Sequence, residues 1–187
     1  VSVELLTAGG TVERAISFNR TVDVEFDAAA DILRHELDAL VCDDPEARTF
    51  TVHAEIAGFD VARRVVVVLG APRETDENSI DVPLSWEAEE NPGRFPKVEG
   101  NLELSALSHQ PPMSQLGFFG HVTVPMGVLG TIGDAMGGRT IADDVLERVV
   151  ERVAARLTVA VAQRSAKKAD EMTPQHRSRP AVVLPRD

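Results

Sequence analysis

An α+β fold, in which a curved antiparallel sheet wraps a long C-terminal helix and a short helix follows the first strand, is predicted by three features of the sequence. From Phe18 to Pro125 apolar and polar side chains alternate in several separate runs, the period of strands with one buried face. One stretch of helical periodicity interrupts them after the first run. From Thr140 the period changes for good to threes and fours. A sheet with one apolar face must cover it, and only the terminal helix is long enough to do so.

The elements follow in order. "FNRTVDVEF" sets Val22, Val24 and Phe26 on one face and Thr21, Asp23 and Glu25 on the other, which reads as a half-buried strand. Asp27 is placed to cap the helix "DAAADILRHELDAL", whose Ile32, Leu33, Leu37 and Leu40 share a face, and Pro45 is the expected breaker. "FTVHAEIAGFDVARRVVVVLG" reads as two strands about a turn at residues 58–60. Three longer runs come next. They put Ile80, Val82, Leu84 and Trp86 on one face, then Val98, Leu102, Leu104 and Ala106, then Leu116, Phe118, Val122 and Val124. Antiparallel neighbours with one apolar face fit all three.

After Pro125, Ile141, Val145, Leu146, Val149, Val153, Leu157 and Val161 recur at helical spacing, giving a helix of about twenty-five residues from Thr140. Thr140 with Asp143 makes a capping-box variant at its start. The glycines Gly127, Gly130, Gly133, Gly137 and Gly138 precede it. No Lys-Ser/Thr closes a P-loop there, and no G-x-G-x-x-G sits in a strand-helix-strand unit, so the glycines read as permissive backbone for the corner. Met126, Leu129, Ile132 and Met136 form one side of a short helical turn in the same stretch.

Composition bounds the function. With 187 residues and 43% apolar side chains the chain suits one domain, expected over residues 1–165. Residues 166–187 hold five basic and three acidic side chains, so a net −11 chain carries −13 in its body and ends in a basic tail read as disordered. An acidic body disfavours nucleic acid and anionic lipid surfaces as partners. The single Cys42 excludes an internal disulfide, no apolar run is long enough to span a membrane, and the first ten residues do not resemble a signal peptide. A cytoplasmic protein is the expectation, with its oligomeric state left open.

The run "GHVTVPMGVLGTIGDAMGGRTIADDVLERVVERVAARL" resembles the closing segment of the SRPBCC superfamily, the helix-grip fold of START domains, plant pollen-allergen proteins and polyketide cyclases. The likeness lies in a last strand ending in a Pro125–Gly127 turn and an apolar stretch leading to an Arg139-Thr140-Ile141-Ala142 helix start. "VDVEFDAAADIL" is similar to the opening strand and small-residue helix of that family. The resemblance covers roughly residues 16–160, and five or six strands are legible where the family has seven.

What the resemblance implies is a cavity between sheet and helix that holds a hydrophobic or amphipathic small molecule. Its expected lining is Val82, Leu84, Trp86, Leu102, Leu104, Leu116, Phe118 and Val122 from the sheet and Val145, Val149 and Val153 from the helix. Its expected rim is His109, Met113, Met126, Leu129 and Met136. Residue types alone favour the opposite, a filled core in which these side chains touch one another.

Groups for chemistry are few. His35, His53, His109, His121 and His176 show no zinc-ligand spacing, and neither a metal nor a cofactor is expected. His53 and His121 fall on the outward parity of their strands. The carboxylates at residues 87–91 and 143–144 read as solvated faces, and Asp43 and Asp44 discourage a thiolate at Cys42. Tyrosine is absent, so any proton transfer would fall to Arg20, His109 or His121 with water. Non-catalytic binding or carriage of a lipid-like or polycyclic molecule therefore leads, and no catalytic residue is assigned. The alternatives are a cyclase/aromatase-like enzyme using the same cavity, or a protein-interaction module with a filled core.

Overall fold

The computed structural model describes residues 7–8, 11–56, 59–125 and 135–172. A two-residue strand β1 (Thr7–Ala8) precedes β2 (Thr11–Val22), helix α1 (Phe26–Val41), β3 (Thr49–Ile56), β4 (Phe59–Leu69), β5 (Arg73–Asp76) and β6 (Ser79–Ala88). After a 3₁₀ turn at Pro92–Arg94 come β7 (Lys97–His109), β8 (Pro112–Pro125) and the terminal helix α2 (Ala135–Met172). The pairings are antiparallel and the order across the sheet is β1-β2-β8-β7-β6-β4-β3, with β5 paired to β6. The sheet is curled into a half-barrel, and α2 packs along it against β2, β3 and β8 as well as against α1: the helix-grip fold.

The alternation decides which side is inside. Ile80, Val82, Leu84 and Trp86 of β6, Val98, Leu102 and Leu104 of β7, and Leu116, Phe118 and Val122 of β8 are all buried. They meet Val145, Leu146, Val149, Val150, Val153, Ala154 and Leu157 of α2. Each fully buried Val or Leu adds about 1.5–3 kcal/mol relative to exposure, so this face supplies a large share of the drive to fold. At Gly100 and Gly120, which pair across β7 and β8, the inner face carries no side chain. A β-carbon on Gly100 would lie 2.7 Å from Cζ of Phe118, and one on Gly120 would collide with the Glu99 carbonyl. The missing side chains let the strands approach and leave room for the Phe118 ring.

α1 buries Ile32, Leu33, Leu37 and Leu40 as its spacing predicts, and bends at Glu36, whose φ of −126° and ψ of 19° leave the helical range. Its N-cap is Glu25 rather than Asp27, which lies in the first turn, and neither makes a side-chain cap. Pro45 does not end it. The helix stops at Val41, where Cys42 is already extended and the Asp43 and Asp44 N–H groups both donate to the Thr49 carbonyl. No basic residue of α1 serves the exposed carbonyls of its last turn. Arg156 of α2 does so instead, donating to the carbonyls of Ala39 (3.3 Å), Leu40 (3.2 Å) and Cys42 (2.7 Å).

Several sequence boundaries shift. β2 begins at Thr11, seven residues before Phe18, because Ile16 and Phe18 continue the inward parity. Phe59 and Asp60 already belong to β4, with Ile56 paired to Phe59, so the expected turn at residues 58–60 lies too late. β5, wholly exposed, offers no apolar alternation and went unread. α2 starts at Ala135, so Thr140 is not its N-cap; no proline interrupts residues 135–140, and the glycines there lower helix propensity by about 1 kcal/mol each without forbidding it. The helix also runs to Met172, so residues 166–172 of the expected tail are helical. Met126 and Leu129 lie outside the described residues, as do Ile132 and His176.

Arg156→Ala strips three carbonyls of their donor, and a loss of about 1–3 kcal/mol in unfolding free energy is expected, read from the urea midpoint. Arg156→Lys, with one ammonium for several acceptors, should recover only part of it. Gly120→Val should cost more than either, because the backbone of β7 blocks the new side chain.

Candidate functional site

The expected lining residues are brought together. Val82, Leu84, Trp86, Leu102, Leu104, Leu116, Phe118 and Val122 face Val145, Val149 and Val153 across the interior, each no more than 8% exposed. Aromatic rings run through that interior in sequence. Phe50 meets Trp86 edge-on at 5.6 Å between centroids, and Trp86 meets Phe118 at 6.0 Å. Phe50, on β3, is a core residue the sequence reading did not single out.

Among the described residues the interior reaches solvent at the β3 edge. Between β3 and α2 lies a cleft of about 150 Å³ lined by Phe50, Thr51, Val52 and His53 of the strand and Val145, Arg148, Val149 and Arg152 of the helix. It forms because β3 is the last strand of the sheet, so α2 rather than another strand stands beside it. Phe50, Val145 and Val149 are at once buried core and cleft wall. Arginines and a histidine ring the mouth. The Arg148 guanidinium donates to the His53 carbonyl at 3.4 Å, and Arg152 lies 5.9 Å over the Phe50 ring and 3.0 Å from Oδ1 of Asp43.

Asp43 ties this corner together. Its Oδ1 also accepts from Arg156 at 3.1 Å, and its Oδ2 accepts from the Thr51 N–H at 3.0 Å. Partial burial alone would raise its pKa, but the Thr51 N–H and the two guanidinium groups outweigh that and hold the carboxyl below its ordinary value. A depressed carboxylate stabilises the fold above the unfolded-state pKa, and that stability is lost as pH falls through the folded one. Next to it the Cys42 thiol is pushed up to about 11, first by burial and then by Asp38, with Asp43 a smaller contributor; Asp44, which the sequence suggested beside Asp43, is not among the causes.

The remaining groups do not converge. His109 ends β7 and is exposed, and Met113 lies half-buried at the start of β8, both at the sheet's β7–β8 hairpin. Met136 falls in the first turn of α2, its side chain outside the described part. Arg20 pairs with Glu151 at 2.5 Å, while His53 and His121 are exposed as their parity predicts. Asp143, read as part of a solvated face, pairs with Arg14 of β2 at 2.7 Å. No three metal-ligating side chains cluster among the described residues, and no helix there is long and apolar enough to cross a membrane.

Sequence reasoning missed the arginines Arg148, Arg152, Arg156 and Arg164. The signal was present: four guanidiniums at multiples of four residues along one helix, in a chain of net charge −11.

No family model matches the chain, and neither does any curated protein. Among solved structures it is similar to a START superfamily protein from Mycobacterium smegmatis, at 15% identity and a TM-score of 0.40 over 76% of this chain and 96% of that one. It is similar to Ara h 8.0201 at 15% identity and a TM-score of 0.44, over 78% and 97%. A third, the Zhui aromatase/cyclase from a Streptomyces species, shares 20% identity over 84% and 96%, with a TM-score of 0.33. The helix-grip fold of this chain rests on its own strand order and on the seat of α2.

A thiol pKa raised from 9.0 to about 11 leaves roughly 100-fold less thiolate at neutral pH. Iodoacetamide at pH 8 should therefore modify Cys42 at least ~100-fold more slowly in native protein than in urea, followed by mass spectrometry.

Proposed function

We propose that this protein binds and carries a hydrophobic or amphipathic small molecule between its sheet and α2, without catalysing a reaction on it. One observation carries the reading: Phe50, Val145 and Val149 belong both to the buried core and to the wall of a cleft open to solvent. A ligand's apolar part laid against them continues the core outward, and the displaced water supplies the affinity. Deeper lining falls to Trp86, Phe118 and Leu104, reached through Phe50. His109 and Met113 are proposed as a far rim at the opposite end of the strands.

The binding reading is preferred to a cyclase-like one because proton-transfer groups are not gathered. Arg20 is engaged with Glu151, and His109 and His121 are exposed on separate parts of the sheet. The lone, buried, protonated Cys42 suits the reducing cytoplasm, where we place the protein.

Native mass spectrometry of fresh protein, followed by organic extraction, should identify a stoichiometric apolar molecule. Uptake of the neutral fluorophore Nile red should weaken at least ~10-fold in Val52→Phe, at a half-buried cleft-wall position that fills the cleft with less strain on the core than a change at Val149. Val159→Phe, at an exposed position of the same helix, should bind like the parent. A protein that emerges empty and takes up no apolar probe overturns the reading in favour of a filled core.

A further inference from the structure

We infer that the molecule held in the β3–α2 cleft carries a single negative charge, a carboxylate on an apolar body, and that Arg148 receives it. This rests on the reading of the cleft as a small-molecule site and adds the chemical class of its ligand.

The argument is one of charge and of engagement. The cleft lining includes two guanidiniums and no carboxylate, in a chain of net charge −11. Those cations are not equally committed. Arg152 is paired with Asp43, and Arg156 behind it is spent on Asp43 and on the carbonyls that end α1. Glu151, one turn further along α2 from Arg148, is taken by Arg20. Arg148 differs, since its contact is with a main-chain carbonyl, that of His53, at 3.4 Å and thus near the limit of a hydrogen bond. Exchanging that contact for a carboxylate gives a charge-assisted and potentially bidentate pair.

The apolar part of the ligand is fixed by what lies beneath the guanidinium. Val145 and Val149 flank Arg148 on the same helix, with Phe50 opposite, so a head held at Arg148 directs its body onto the core. The charge is matched to one by engagement: Arg152 and Arg156 are already paired with Asp43, which leaves Arg148 to meet a single carboxylate. A fully neutral ligand would leave Arg148 where it stands and gain nothing from it.

The test compares decanoate, below its micellar concentration, with 1-decanol of the same chain length, followed by the emission of Trp86, the chain's single tryptophan, which touches the cleft wall through Phe50. Decanoate should bind at least ~10-fold tighter than decanol to the parent protein, the preference shrinking with added salt. Arg148→Ala should abolish the preference, weakening decanoate at least ~10-fold more than it weakens decanol, with the protein still folded by its melting transition, and Arg148→Lys should keep part of the preference. Equal binding of the two probes, or a preference untouched by Arg148→Ala, overturns the inference and leaves the cleft reading intact. Failure of both probes to bind the parent protein overturns the cleft reading, and this inference with it.

Discussion

Arg156 holds together three elements that no continuous secondary structure joins. Its guanidinium donates to the last carbonyls of α1 and to Asp43, and the other oxygen of Asp43 accepts from Thr51 of β3. Helix ends leave carbonyls without partners, and here a neighbouring helix supplies the donor. Hydrophobic burial explains why α2 lies in the sheet, but burial has no direction. The Arg156 contacts fix where along β3 and α1 the helix comes to rest, and therefore which of its residues face the interior.

Ion pairs flank this anchor with a consistent polarity. On the β2 side the strand supplies the cations: Arg14 reaches Asp143 and Arg20 reaches Glu151. Toward α1 the helix supplies them, with Arg164 bridging Asp31 and Glu36, the residue at which α1 bends. Exposed pairs contribute little stability each, about 0–1 kcal/mol, so their role is orientation rather than strength. An acidic chain that spends its arginines on the margins of one helix keeps that helix in a single rotation. Val145, Val149 and Val153 then stay inward without further help.

The sheet was legible in the sequence because its period is two and its faces differ. Ile80 to Trp86 and Val98 to Leu104 could be assigned inward from alternation alone, and so could the helical face from Val145 to Leu157. What alternation could not reveal was length and partnership. The start of β2 was obscured by Arg14, an inward-parity cation that makes sense only once Asp143 stands opposite it. β5 has no buried face, hence no period to read. The cleft was likewise hidden, because its walls come from β3 and α2, about ninety residues apart, and its arginines acquire meaning only beside Asp43 and the β3 edge.

That edge explains why an opening lies here. A final strand presents N–H and C=O groups that ordinarily invite another strand. On β3 they are met by side chains and a turn instead: the Thr49 N–H donates to the Asp44 carbonyl, the Thr51 N–H to Asp43, and the His53 carbonyl accepts from Arg148. With those groups engaged, β3 pairs with no strand but β4 among the described residues and does not close onto α2, since side chains hold the two apart where a ladder would draw them to about 4.8 Å. The same arginine that blunts the edge at His53 stands over the apolar wall of Val145 and Val149. Protecting a strand edge with a long cation, in place of a further strand, thus leaves a gap with an apolar floor and a positive lip.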